Sequence, residues 1–148
     1  MRVTLESVIK LLHDEDYALV IEHQEQVYPF EGRGIRPLYE VYRHQKELLN
    51  QSLVADKVSG KAHAMLCVAG GAKAVYADLM SADAIEIYQS NGIHYEYGQS
   101  VPHILNRDRS DLCPIEQLAS DLAPDCVEML CTRIELFFEK IAQNQKGK

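Results

Sequence analysis

The sequence predicts an α/β fold, a three-layer α-β-α sandwich around a mixed β-sheet. Apolar residues recur with helical spacing in segments of about ten residues, and from residue 52 onward short apolar strands alternate with those segments. Strands joined by helical crossovers run parallel, whereas an earlier pair separated by only a few residues is typical of an antiparallel hairpin. The 148 residues suffice for a substantial core. We therefore expect residues 1–148 to form a single domain.

Each predicted element has a local signal. Thr4 is typical of an N-cap, and Pro29 places its strand at a sheet edge, because proline cannot donate to a ladder. Pro37 is typical of a first helical turn, and Gly70-Gly71 of a helix C-cap. In chain order we predict a helix over 4–13, strands over 17–22 and 26–31, a helix over 37–50, a strand over 52–55, a helix over 56–70, a strand over 74–78, a helix over 81–91, a strand over 93–97, and helices over 114–122 and 124–143.

Composition excludes several classes of protein. The formal net charge is −7, which argues against binding to nucleic acid through phosphate contacts. No apolar run approaches the roughly 20 residues that a membrane-spanning helix needs. The first ten residues lack the apolar region of a signal peptide, and the four cysteines form no CxxC pair. We therefore expect a cytoplasmic protein with reduced cysteines, and no metal site or cofactor is indicated by the spacing of its residues.

Several short motifs carry a family resemblance. Their order and spacing resemble those of the DUF1893 (TM1506-like) family of uncharacterised proteins, over roughly residues 15–122. The resemblance implies a cytidine-deaminase-like fold, and the family has no established reaction or ligand. The motifs are Gly34-Ile35-Arg36-Pro37-Leu38, Asp56-Lys57-Val58-Ser59-Gly60-Lys61-Ala62, Gly70-Gly71, Tyr97-Gly98, Asn106-Arg107 and Cys113-Pro114-Ile115-Glu116.

The implied fold allows a test for zinc chemistry. A zinc deaminase needs a His or Cys followed by a catalytic Glu at the helix after the hairpin, and Pro-Cys-x-x-Cys at the next helix. The corresponding segments here are Gly34-Ile35-Arg36 and Asp56-Lys57-Val58-Ser59-Gly60, which contain no thiol, imidazole or correctly spaced Glu. The sequence therefore argues against a zinc-dependent deaminase.

Basic residues take the place of metal ligands at these two helix starts. Arg33 and Arg36 lie at one, and Lys57 and Lys61 at the other, where Asp56 is the predicted N-cap. A spacing of four puts Lys57 and Lys61 on one helical face, and helix N-termini favour anions. These residues are candidates for holding a phosphate or carboxylate. The alternative is that they are solvated cations paired with nearby acidic residues.

The polar connection over 99–113 contributes the remaining candidates. Asn106 and Arg107 could hydrogen-bond a ligand from this loop. Cys113 is the predicted N-cap of the next helix, with Glu116 completing a capping box. A thiol at a helix N-terminus near arginines favours its thiolate, although a structural role for Cys113 stays open. We interpret His63 and His94 as structural.

Three hypotheses about function follow. The first is a binding module for a small anionic, phosphate-like or nucleotide-like, ligand held by Arg36, Asp56, Lys57 and Lys61, with the loop closing over it. The second is an enzyme that uses Cys113 as a nucleophile or sulfur carrier. The third is a protein-interaction module whose last helix docks on a partner or on a second copy, giving a homodimer.

Overall fold

The computed structural model describes residues 2–146. A single five-stranded sheet organises them, in the order β2-β1-β3-β4-β5. The elements are α1 (Leu5–Asp14), β1 (Leu19–His23), β2 (Gln26–Phe30), α2 (Arg36–His44), a 3-10 turn (Lys46–Leu49), β3 (Leu53–Ser59), α3 (Lys61–Gly70), β4 (Ala74–Ser81), α4 (Ala82–Ser90), β5 (His94–Val101), α5 (Pro114–Ala119) and α6 (Val127–Lys146).

The sheet is mixed, as the sequence predicts. β1 pairs antiparallel with both β2 and β3, while β3, β4 and β5 run parallel. The parallel part follows from the helical crossovers α3 and α4, each of which returns the chain to the same end of the sheet. β2 is an edge strand, and Pro29 lies within it opposite Val20.

Alternate strand residues build two apolar layers. Val20, Ala55 and Tyr76 face α1, with Val8 and Leu12 packed against them. Ile21, Val54 and Val75 belong to the larger core on the other face, which includes residues from all the other helices. This alternation puts helices on both faces of the sheet and gives the predicted three-layer architecture.

The local signals at the first helices are only partly confirmed. The hydroxyl of Thr4 accepts from the Ser7 amide at 3.2 Å, so Thr4 is the N-cap of α1. Pro37 lies in the first turn of α2 as predicted. The prediction that this helix reaches Asn50 is wrong. The backbone of Gln45 leaves the helical conformation, and the 3-10 turn that follows buries two leucines in the core.

The predicted boundary between β3 and the next helix is also wrong. β3 continues through Ser59, and the N-cap of α3 is Gly60 rather than Asp56. The reason is the ladder with β4, in which Val58 pairs with Leu79 and Ser59 with Met80. Pairing with a neighbouring strand satisfies these backbone groups, so the local capping preference of Asp56 does not decide the structure. Gly71 ends α3 with φ +89°, as predicted for a C-cap.

The later elements differ from the predictions mainly at their ends. β4 and β5 run three and four residues beyond residues 78 and 97, because each ladder extends to Ser81 and Val101. α5 ends at Ala119 rather than 122. α6 begins at Val127, three residues after Pro124, which therefore does not open it.

Candidate functional site

A cavity of about 530 Å³ lies beside the carboxyl-terminal half of β3. Its walls come from four segments of the chain: residues that follow α1, residues 32–35 before α2, residues 56–63 around the end of β3, and residues 104–116. In open α/β sheets, ligands bind in the crevice beyond the carboxyl ends of the strands. The position and the volume of this cavity are therefore those of a small-molecule site.

A buried ion pair forms part of the cavity wall. The imidazole Nε2 of His63 donates to Oδ2 of Asp56 at 3.0 Å, and the two side chains are only 3% and 8% exposed. Asp56 lies on β3 and His63 in the first turn of α3, so the tight strand-to-helix connection brings them together. A charged pair this deeply buried at a cavity is a feature typical of functional sites.

A second set of polar groups lies behind His63. Its Nδ1 is 3.0 Å from Oγ of Ser59, which is itself 2.7 Å from the hydroxyl of Tyr88. The sulfur of Cys67 is 3.7 Å from the same nitrogen. Both ring nitrogens of His63 are therefore engaged, and the orientation of its ring is fixed from both sides.

The surroundings of His63 favour its protonated form. Burial by itself lowers the pKa of His63, but the sulfur of Cys67 and the carboxylate of Asp56 outweigh burial and raise the pKa to about 10. The pair is therefore an imidazolium and a carboxylate at neutral pH, with Nε2 donating to Asp56. Because Nδ1 then donates to Ser59, His63 has no lone pair with which to accept a proton.

The N-terminus of α3 is occupied by a carboxylate of the protein. Glu116 accepts from the amides of Lys61 and Ala62, at 2.6 and 3.3 Å. A Cβ on Gly60 would lie 1.4 Å from Oε1 of Glu116, so only glycine permits this approach. Burial is the largest influence on Glu116 and raises its pKa, although the two amides oppose the change. The predicted capping box with Cys113 is wrong, because Glu116 caps α3 instead of its own helix.

Two cations contribute to the cavity wall. The ammonium of Lys57 forms an ion pair with Asp16, and both side chains are well exposed to water. Arg33 also lines the cavity, and it makes no ion pair with any residue in the range 2–146. An exposed ion pair contributes little free energy, so the ammonium of Lys57 can exchange Asp16 for another anion at low cost.

The other two predicted cations lie outside the cavity wall. Lys57 belongs to β3 and Lys61 to α3, so the prediction that they share a helical face is wrong. The ammonium of Lys61 instead donates to the carbonyl of Leu122 at 2.6 Å. The guanidinium of Arg36 lies 3.8 Å from the ring centroid of Phe138. Of the predicted ligand-binding set, the cavity thus brings together only Asp56 and Lys57.

Of the three candidates in the loop over 99–113, only one lines the cavity. Cys113 lies in the cavity wall and is the N-cap of α5, as predicted. Asn106 is not in this wall; its side chain accepts from the amide of Ser110 at 3.1 Å and shapes the loop itself. Arg107 is exposed and does not line the cavity.

Comparisons with known proteins identify the family of this chain. A model of the domain of unknown function DUF1893 (TM1506) matches residues 7–134. The chain belongs to the DUF1893 family. Its structure is similar to the crystal structure of a DUF1893 family protein (TM1506) from Thermotoga maritima, with a TM-score of 0.75 and 26% sequence identity over 89% of this chain and 87% of that one. The comparison with curated proteins gives no match.

This DUF1893 chain has no residues placed to hold a metal ion in the part that the structure describes. Within residues 2–146, no group of three or more His, Cys, Asp or Glu side chains is arranged around a common point. The start of α3 does carry His63, but both of its nitrogens are already bonded within the protein. No helix in the same range is long and apolar enough to cross a membrane.

The sequence predictions miss the roles of two residues of the DUF1893 cavity, since they make His63 structural and Glu116 the cap of its own helix. Arg33 belongs to the predicted basic cluster but not to the predicted ligand-binding set. The spacing Asp56-x-x-Ser59-x-x-x-His63 was a usable signal only if β3 was known to end at Ser59. No local signal indicates that Glu116 caps α3, because 54 residues separate it from the amide of Ala62.

Proposed function

We propose that this DUF1893 protein binds a small organic molecule with a phosphate or carboxylate group in the cavity beside β3. The observation that carries the proposal is Arg33, a cation in the cavity wall without an ion-pair partner in residues 2–146. The exchangeable Lys57–Asp16 pair belongs to the same wall. Apolar side chains such as Ile35 and Ile115 complete the wall and would cover the body of the ligand. The helix N-terminus of α3 is not part of this anion site, since Glu116 fills it.

We further propose a relationship to cytidine deaminases without their metal site, which the mixed sheet with its N-terminal hairpin supports. Residues at the start of α2 and at the start of α3 both line the cavity, and these are the two helix starts at which the resemblance implies the zinc ligands of a deaminase. In this chain those positions hold Ile35 and Gly60. We therefore favour binding over zinc-dependent deamination. The absence of disulfides among its four cysteines also supports a cytoplasmic location.

Thermal-shift titration tests the proposal. Phosphate- and carboxylate-bearing metabolites should raise the melting temperature of the wild-type protein, and Arg33→Ala and Lys57→Ala should weaken that response. Loss of one charge-assisted hydrogen bond costs about 1.5–3 kcal/mol, or roughly ten- to a hundredfold in affinity. Lys73→Ala is the matched control, because Lys73 is exposed just before β4, at the opposite end of the parallel strands. Equal responses of all three variants would contradict the proposal.

A thiol enzyme is the second candidate, because Cys113 lies in the wall of the same cavity. His63 is not its base, since both ring nitrogens are bonded elsewhere. Alkylation with iodoacetamide from pH 6 to 9 discriminates the candidates. Selective modification of Cys113, well below the usual cysteine pKa of about 8.5, supports the enzyme. A rate no faster than that of the exposed Cys126 contradicts it.

A further inference from the structure

The carboxylate of Asp56 has an acceptor position that the protein does not use. Its Oδ1 accepts from the amide of Lys57 at 2.6 Å and, more weakly, from that of Val58 at 3.5 Å. Its Oδ2 accepts from His63 alone among residues 2–146. A carboxylate oxygen accommodates about two donors. Oδ2 therefore keeps room for one more hydrogen bond, on a residue that lines the cavity.

The surrounding bonds make Asp56 an acceptor only. Ser59 engages Nδ1 of His63, so Nε2 of that ring carries the hydrogen that points to Asp56. If Ser59 donates to Nδ1, Nε2 is the N–H of the ring; if Ser59 accepts from Nδ1, the ring is the imidazolium described above and Nε2 carries a hydrogen as well. The ligand group that contacts Oδ2 of Asp56 must therefore be a hydrogen-bond donor. An acceptor at this position would place a second lone pair against the buried carboxylate oxygen, with no hydrogen between them.

The cavity wall also carries charges of both signs. The carboxylates belong to Asp16, to Asp56 on β3 and to Glu116 on α5, while the cations belong to Arg33 and Lys57. Apolar side chains, among them Ile104, make up much of the remaining wall. A ligand that matches this wall has a hydrogen-bond donor, an apolar body and an anionic group.

From this arrangement we infer that the ligand presents an N–H group, such as a carboxamide or a ring N–H, to Oδ2 of Asp56, with its anionic group at Arg33. This inference rests on the proposed function, because it names the other end of the same ligand. His63 acts as a positioning residue, whose hydrogen bond holds the carboxylate of Asp56 in place.

Two matched probes test the inference. In 4-carbamoylbenzoate and 4-acetylbenzoate the shape and the carboxylate are shared, and only the first has an NH₂ in place of a methyl group. Their affinities for the whole protein are measured by saturation-transfer NMR titration. We expect 4-carbamoylbenzoate to bind at least tenfold more tightly, which corresponds to about 1.4 kcal/mol. In Asp56→Asn this ratio should fall towards one, since the substituted amide is a weaker, neutral acceptor.

The outcomes separate the inference from the proposed function. If the two probes bind the wild-type protein equally, and both lose affinity in Arg33→Ala, the inference is overturned and the anion site stands. If the ratio in Asp56→Asn equals that of the wild type, Asp56 is not the group that recognises the amide. If neither probe binds at millimolar concentration, both proposals are overturned. The wild-type ratio needs no variant, so the test does not depend on Asp56→Asn folding.

Discussion

The imidazole of His63 is buried beside the carboxylate of Asp56, and this placement links the stability of the protein to pH. The pKa of His63 is raised to about 10, since the sulfur of Cys67 and the carboxylate of Asp56 outweigh the opposing influence of burial. In the unfolded chain the pKa is about 6.5. The folded state holds the proton more tightly, so the stabilisation is complete below the unfolded pKa and is lost as the pH rises towards the folded one.

We predict that the free energy of unfolding falls more steeply with pH in the wild type than in His63→Gln between pH 7 and 9.5. The difference in slope should approach about 1.4 kcal/mol per pH unit, the value for one proton. Urea unfolding at several pH values measures it. His94→Gln, at an exposed histidine of β5, should keep the wild-type slope. Parallel curves for the wild type and His63→Gln would show that the buried pair does not titrate in this way.

Glu116 supports the site from a distant part of the chain. Because it satisfies two amides at the start of α3, Glu116→Ala should lower the free energy of unfolding by about 0.5–2 kcal/mol. Glu116→Gln should cost less, since an amide oxygen still accepts one of these bonds and burial already disfavours the ionised form. Denaturant unfolding measures both. Glu139→Ala, at an exposed position of α6, is the control, and an equal loss there would argue against capping.

At the scale of single elements, the β1–β2 hairpin is closed by residues poorly suited to its turn. Gln24 and Glu25 both have positive φ, +51° and +67°, in a two-residue connection. Such turns favour Asn-Gly, because other side chains are strained in the left-handed region. Glu25 has a compensating role, since its carboxylate accepts from the amide of Val3 at 2.7 Å.

Gln24→Asn should therefore stabilise the protein, by up to about 1 kcal/mol. Asparagine tolerates the left-handed conformation better than glutamine does. The same exchange at Gln26, an exposed residue of β2, serves as the control and should bring no gain, since asparagine is disfavoured in strands. Thermal unfolding compares the two variants. A gain at Gln26 equal to that at Gln24 would contradict the account of the turn.

At the scale of the whole molecule, α6 closes the larger core. Leu130 and Ile134 are fully buried there, and the hydroxyl of Tyr39 donates to Glu135 at 2.5 Å. Burial of each large apolar side chain contributes about 1.5–3 kcal/mol. Removing α6 should therefore cost a large part of the free energy of unfolding, which is typically about 5–15 kcal/mol in total.

We predict that a chain ending at residue 125 loses its cooperative unfolding transition, whereas a chain ending at residue 140 keeps it. The longer chain retains both buried side chains and the bond from Tyr39. Differential scanning calorimetry of the two chains measures the transition. A sharp transition in the shorter chain would show that residues 2–125 form the stable core without α6.

Much of the architecture was predictable because its signals are local. Thr4 as an N-cap, the proline at the edge strand and the glycine at the end of α3 each act within one turn or strand, and the structure confirms them. The end of β3 was not predictable in this way. Its last residues pair with β4, about twenty positions further along the chain, and this pairing outweighs the capping preference of Asp56.

The sequence by itself determined the order of the elements, the mixed sheet, and the lack of zinc-deaminase ligands at the two helix starts. The tertiary structure alone decided which charged groups meet. In the folded chain Arg36 and Lys61 contact other partners, Glu116 caps the start of α3, and His63 lies against Asp56. The physical reason is the separation along the sequence over which each interaction acts. Backbone conformation responds mainly to near neighbours, whereas a buried charge needs a partner, which any part of the folded chain can supply.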